Sequence, residues 1–324
     1  MVQVVQCRPF ARIEERVREW RIADEGPTGQ ARTMNASSTA TSFDHLRDWV
    51  GRTERRVDTV TAAPLAGLAA TLDRADAAPL PGTPLAPLGH WLFFLPVARQ
   101  SEIGTDGHPQ RGGFLPPVAL PRRMWAGSRL AFHHALNVGD EMLRSSTITK
   151  VDAKTGRSGA LVFVTVRHEI TRAAGLALTE EHDIVYRDHP VPGAAVAAPV
   201  QARTDAAFSR RIEPDPVLLF RYSALTFNAH RIHYDRPYAT GVEGYPGLIV
   251  HGPLIATLLL DLVRREMPAA RIRGFEFKAT SPLFEIHPFS VCGRLEANQA
   301  GGSVALWACN HEGALAMHAR AELA

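Results

Sequence analysis

The strongest constraint on the fold is an order of elements that occurs twice. In the C-terminal part, Leu248 to Glu266 is apolar on nearly all sides as far as Asp261, which predicts a buried helix. Four strand candidates follow it: Ile272–Thr280, Phe289–Ala297, Ser303–Cys309 and Ala314–Ala321. In the N-terminal part, residues 42–74 predict helices. Phe43, Leu46, Trp49 and Val50 lie at helical spacing behind Ser42, a suitable N-cap, and residues 64–72 (PLAGLAATL) carry Pro in the first turn. Strand candidates come later, at Ser128–Leu136, Met142–Val151, Ala160–Ile170 and Glu181–Tyr186, with turn signals such as Asn137-Val-Gly-Asp140 between them. A central helix followed by antiparallel strands, twice over, implies two tandem copies of one α+β unit.

The remaining segments set the boundaries. Residues 1–41 mix both charge signs and then run into Gly, Ser, Thr and Ala. They read as a flexible N-terminal extension, with Met34 as an alternative start. The apolar core of a secretory signal is missing there, and a mitochondrial leader would be poorer in acids. Residues 42–190 form the first unit, residues 191–205 a linker, and residues 206–324 the second unit. Inside these, residues 76–89 are a Pro-rich loop, His90 to Val97 is β-like, Gly104 to Pro121 is a long loop, and Val217 to Ala224 reads as a strand.

Composition excludes several functions. Thirty-six basic and 33 acidic residues give a net charge of +3, too small and too dispersed for nucleic-acid binding by charge. Cys7, Cys292 and Cys309 form no CxxC pair, which argues against a disulfide scaffold or a cysteine zinc site and fits a reducing cytoplasm. The apolar run Pro253 to Leu260 is far below the roughly 18 residues that span a bilayer, so no membrane partner is expected. GxSxG, a Walker A loop and a GxGxxG after a strand are all absent.

Chemistry concentrates in one stretch, Phe220 to Tyr238 (FRYSALTFNAHRIHYDRPY), followed by Gly247-Leu-Ile-Val-His-Gly-Pro-Leu254. Asn228 and His233 are five residues apart, a spacing that lets a short turn aim both at one pocket. Histidine exchanges protons near neutral pH, and asparagine can hold a water. Gly252 and Pro253 open the buried helix, where free N–H groups and the helix dipole can stabilise an oxyanion. Other roles are open at these positions. Asn228 can form an Asx-turn or cap a helix, and Asp235 can pair with Arg231 or Arg236. His230, His233 and His251 could bind a metal, but no Cys or Glu completes a recognisable pattern, so no metal is expected. Trp125, Gly127 and Phe132 could wall an acyl pocket.

The segment resembles the hydratase-2 motif of the MaoC-like hotdog-fold enoyl-thioester hydratases and dehydratases, D-x-N-P-[ILV]-H. Asn228 stands at the Asp position, His230 and Arg231 replace Asn-Pro, and Ile232-His233 match. The form TFNAHRIHYD is similar to mitochondrial-type 3-hydroxyacyl-thioester dehydratases and bacterial mesaconyl-C4-CoA (3-methylfumaryl-CoA) hydratases. His251-Gly-Pro-Leu254 and Phe275-Glu-Phe-Lys-Ala279 also match. The resemblance implies a double hotdog, with a degenerate first unit and a catalytic second one. It implies a hydro-lyase that needs no cofactor and acts on an enoyl-CoA or acyl-carrier-protein thioester, with mesaconyl-C4-CoA as first choice. A fatty-acid 3-hydroxyacyl-thioester dehydratase is the alternative, and a hotdog thioesterase or an acyl-binding module are further ones. His233 and Asn228 would be catalytic. Gly252, His251, Thr226, Ser223, Arg231 and Lys278 would bind the oxyanion or substrate. A homodimer stays open, because two units in one chain can be self-sufficient.

Overall fold

Ten strands pair into one antiparallel sheet in the order β1-β3-β4-β5-β2-β7-β10-β9-β8-β6. The computed structural model describes residues 43–156, 159–188, 198–296 and 302–324. The expected extension 1–41, with Met34, lies outside the described residues, as do residues 191–197 of the linker. The N-terminal half supplies β1 (Thr53–Thr59), β2 (Arg122–Phe132), β3 (Glu141–Gly156), β4 (Gly159–Arg172) and β5 (Gly175–Arg187). The C-terminal half supplies β6 (Phe208–Ile212), β7 (Ile272–Ala279), β8 (Phe289–Glu296), β9 (Ser303–Asn310) and β10 (Leu315–Leu323). Within each half the order is first, third, fourth, fifth, second. The second strands of the halves meet, with Arg129 opposite Glu276 at the centre of the shared register. Two copies of one unit, joined edge to edge, is therefore the architecture.

Gly127 makes that joint possible. A Cβ there would lie 2.4 Å from the Phe277 carbonyl oxygen, so any other residue would push β2 away from β7.

The helices are α1 (Ala62–Thr71), α2 (Pro216–Leu225), α3 (Arg236–Gly241) and α4 (Gly252–Glu266). Every residue of α4 from Leu254 to Val263 is buried, and its aliphatic side chains pack on Phe275, Phe289, Val291, Val304 and Leu306 of the sheet. Each fully buried Leu contributes about 1.5–3 kcal/mol. Asp261 is the charged exception. Its carboxylate accepts from Arg74 at 2.8 Å, Arg210 at 3.1 Å and Arg265 at 2.7 Å, which ties the end of α4 to the N-terminal half.

The halves differ in what covers the sheet. α4 has 15 residues, whereas α1 has 10. Beside α1, the loop segment from Gly89 to Pro116 and a cavity of about 630 Å³ occupy the inner face.

Three expectations are corrected. Residues 53–59 (TERRVDT) form strand β1, with alternating burial, instead of continuing a helix; the Phe43/Leu46/Trp49 spacing gives only a 3-10 turn, Asp44–Trp49, closed by Gly51 at φ +90°. Val217 to Ala224 is helical, because Asp215 caps the Leu218 N–H at 2.7 Å and Pro216 opens the helix. His90 to Val97 is a 3-10 turn, Gly89–Leu92, and then irregular chain.

Candidate active site

The Phe220–Tyr238 segment folds into α2, a bend and a 3-10 turn, Arg231–His233. Phe227 takes the left-handed conformation (φ +48°), and the Asn228 N–H returns to the Ser223 carbonyl at 2.8 Å. This reversal carries the chain from the end of α2 to the start of α4.

His233 is buried, and its ring is fixed from one side. Nδ1 lies 2.7 Å from the Ile249 carbonyl, while the Ile249 N–H donates to the Ile232 carbonyl at 3.0 Å. A carbonyl can only accept, so Nδ1 carries the proton and Nε2 keeps its lone pair. Burial pushes the imidazole down to about 4, so it is neutral at pH 7 and available as a base.

His251, the residue before α4, stacks on His233 and bonds the Ser223 hydroxyl through Nε2 at 2.8 Å. Burial, then His233, holds His251 well below the usual histidine range. Gly252 is the first residue of α4, and a Cβ on it would meet nothing within 4 Å. The open space above a helix N-terminus admits a carbonyl oxygen to the unbonded N–H groups there.

Asn228 lines the cavity together with Tyr222, Thr226 and Pro253. Its Oδ1 accepts from the His230 N–H at 3.0 Å, an Asx-turn, and its amide nitrogen has no hydrogen-bond partner among the described residues. The turn and the water-holding role are therefore compatible. The Thr226 hydroxyl donates to the Tyr222 carbonyl at 2.8 Å and closes α2.

Two residues expected to bind substrate are engaged or placed elsewhere. Arg231 bonds Asp235 at 2.8 and 3.0 Å, bonds the Thr105 carbonyl at 3.0 Å and lies over the Tyr238 ring, so its charge is committed to the protein. Asp235 also caps α3 through the Tyr238 N–H, a structural role. Lys278 is exposed on β7, next to the buried Phe277, and strand alternation turns it to the outer face of the sheet.

The structure adds residues that sequence reasoning missed. Asp106 and His108, from the long loop, reach the same site, and His108 lies 4.0 Å from His230 between ring centroids. The rings of His108, His230, His233 and His251 thus form a file. On the cavity wall of the N-terminal half, buried Glu180 bonds His90 at 2.8 Å, His182 at 2.6 Å and Trp91 at 3.1 Å. Trp125 lines this cavity, whereas Gly127 serves the strand joint and Phe132 packs in the core. Long sequence separation hid these residues; the one local signal was Asp106-Gly-His-Pro109 inside a loop too long to be mere connection. Among the described residues, Asp106, His108 and His230 are the group whose donor atoms converge enough to hold a metal ion.

Residues 88–285 match the family model for hydroxyacyl-thioester dehydratase type 2, a span that holds most of the cavity lining, the histidine file and α4. The chain belongs to that family. It is 50% identical over 278 residues, 85% of this chain, to the mesaconyl-C4-CoA hydratase of Chloroflexus aurantiacus, of which the match covers 96%. It is 31% identical over 235 residues, 65% of this chain, to the mitochondrial hydroxyacyl-thioester dehydratase type 2 of Schizosaccharomyces pombe, covering 78% of that protein. Hydratases and dehydratases run one reaction in opposite directions, so this family member is a hydro-lyase. Among solved structures, a MaoC-like dehydratase aligns over 86% of this chain and 99% of its own, with a TM-score of 0.65 and 14% identity. A Mycobacterium tuberculosis protein described as a double hotdog aligns over 85% and 96%, with a TM-score of 0.53 and 16% identity. The fold of the family member is thus the double hotdog.

Proposed function

We propose that this protein adds water reversibly to mesaconyl-C4-CoA or a related branched enoyl-CoA. The observation that carries the chemistry is the fixed tautomer of His233, with Nδ1 anchored to Ile249 and Nε2 without a hydrogen-bond partner among the described residues, beside the open N-terminus of α4. The thioester carbonyl accepts a hydrogen bond from the Gly252 N–H, which draws electrons from the β-carbon. His233 Nε2 takes a proton from a water held by the Asn228 amide, and the water oxygen adds to the β-carbon. A proton then joins the α-carbon. A general base is worth about 10²–10⁴ in rate and an oxyanion donor about 10²–10³.

The substrate assignment leans on the Chloroflexus relative and on the cavity wall. A fatty-acyl chain favours an apolar wall. Here Glu180, His168, His182 and Arg144 line the space. Arg144 lies over Phe94 at 4.8 Å, 3.9 Å from its nearest carboxylate, Glu54, and its buried Nε has no hydrogen-bond partner among the described residues. A free carboxylate on the acyl group suits that guanidinium. The same wall disfavours the fatty-acid dehydratase.

The test is product analysis with mesaconyl-C4-CoA, crotonyl-CoA, a long-chain enoyl-CoA and the corresponding carrier-protein thioesters. Hydration adds the mass of one water and leaves the thioester intact. Release of free CoA thiol would instead mean a thioesterase, and no change in any compound would mean a binding module.

A further inference from the structure

We propose that Asp106 and His108 form a second proton-transfer dyad of this site, the one that protonates the α-carbon. This rests on the hydro-lyase reading. Hydration moves two protons, one off the water and one onto the α-carbon. His233 can take the first. Asn228 does not titrate, and the motif segment offers no good second group. His251 Nε2 is bound to Ser223 and its Nδ1 is buried without a partner among the described residues. Burial, then His108 and His233, push His230 well down.

The loop from Gly104 to His108 is built against the motif. The Arg231 N–H donates to the Asp106 carbonyl at 2.9 Å, and the Arg231 guanidinium to the Thr105 carbonyl at 3.0 Å. Gly107 has φ +91°, and a Cβ on it would lie 1.8 Å from the Ala229 carbonyl oxygen. Only glycine permits that approach. The docking sets His108 beside His230, on a cavity it shares with Asn228 and Pro253.

Within the dyad, one Asp106 oxygen accepts from the His108 N–H at 2.9 Å and the other faces His108 Nδ1 at 3.0 Å. The carboxylate accepts the hydrogen bond of Nδ1–H, and Nε2 has no partner among the described residues. Burial lowers His108, Asp106 raises it, and Arg123 and Arg111 lower it. When protonated, the ring is paired to a carboxylate and is acidic enough to give the proton up.

His233 Nε2 accepts a proton from water while the oxygen bonds the β-carbon, and the alkene electrons move to the thioester enolate. The His108 imidazolium releases its Nε2 proton to the α-carbon, and the enolate electrons form the C–H bond. A proton passes from His233 to His108 through solvent to restore the start. Dehydration is the reverse.

The experiment compares the full-length wild type, His108→Gln and Asp106→Asn on mesaconyl-C4-CoA across pH, with a melting curve for each. We expect His108→Gln to lower kcat by about 10²–10⁴ with KM within a few-fold. We expect Asp106→Asn to lower kcat less and to move the alkaline limb of the hydration profile to lower pH, because the carboxylate no longer raises His108, whose protonated form gives the proton. Turnover of His108→Gln within a few-fold of wild type overturns the dyad. So does a rise in KM at constant kcat, which would mark a binding group. Loss of wild-type activity to a chelator with recovery on Zn²⁺ or Mn²⁺ also overturns it, because Asp106, His108 and His230 would then be metal ligands. If His108→Gln does not melt cooperatively, the Asp106→Asn profile decides, and an unmoved limb overturns the dyad. A wild type inert towards every enoyl-CoA overturns the hydro-lyase reading itself, and the dyad with it.

Discussion

His233 and His251 stack face to face, with 3.6 Å between ring centroids and 19° between planes. Both rings are buried, and both are held neutral by that burial. Two imidazolium ions at this distance would repel strongly in a medium of low dielectric. The stack therefore favours a single transient charge, on the ring proposed to take the proton from water, His233.

Replacing that ring tests the assignment directly. His233→Ala should lower kcat by about 10²–10⁴ while the melting transition stays cooperative. Activity within a few-fold of wild type would place the base elsewhere.

Asn228→Asp keeps the oxygen that accepts from the His230 N–H, so the Asx-turn should survive. Retained turnover within about tenfold would fit a water-holding role that an amide or a carboxylate can fill. Asn228→Ala removes both polar atoms and should cost clearly more. Kinetics of the two variants side by side make the comparison.

Arg144→Met should raise KM for mesaconyl-C4-CoA by about 10–100-fold, the scale of one charge-assisted hydrogen bond. KM for crotonyl-CoA, which lacks the distal carboxylate, should hardly move. Equal changes for both substrates would show that Arg144 supports the pocket wall rather than the acyl group.

Stability should fall on mild acidification. His233, pushed down to about 4, and His168 and His251, held well below 6.5, are neutral in the folded protein. The unfolded chain takes up protons on them below about 6.5, so it binds more protons than the native state in that range. The stability they contribute is complete above about pH 6.5 and is lost as the pH falls towards about 4. Urea midpoints between pH 8 and pH 4.5 would record the slope.

Asp261→Ala leaves Arg74, Arg210 and Arg265 without their common carboxylate. The expected loss is about 3–5 kcal/mol of unfolding free energy, read from denaturant curves. Turnover per folded molecule should stay near wild type, because Asp261 lies near the far end of α4 from Gly252.

The strands were legible where alternation was long, as in β3, β4 and β10, and α4 announced itself by its unbroken apolar run. Val217 to Ala224 misled because a short apolar run suits a strand or a helix equally, and Asp215-Pro216 outside it decided the matter. Residues 53–59 were hidden because a strand can be half exposed and charged. The motif segment stood out because histidines and asparagine crowd into 20 residues. Asp106, His108, Arg144 and Glu180 did not, since their nearness to the motif comes from loop docking and sheet order, which no local pattern encodes.

The joint between β2 and β7 also bears on counting. Two identical subunits meeting edge to edge would own two equivalent crevices and so two chances to bind. Here the halves of one covalent chain differ, one carrying a 15-residue helix and the histidine turn, the other a 10-residue helix and much of the cavity wall. Titration with a thioester analogue should therefore saturate at a single equivalent per polypeptide.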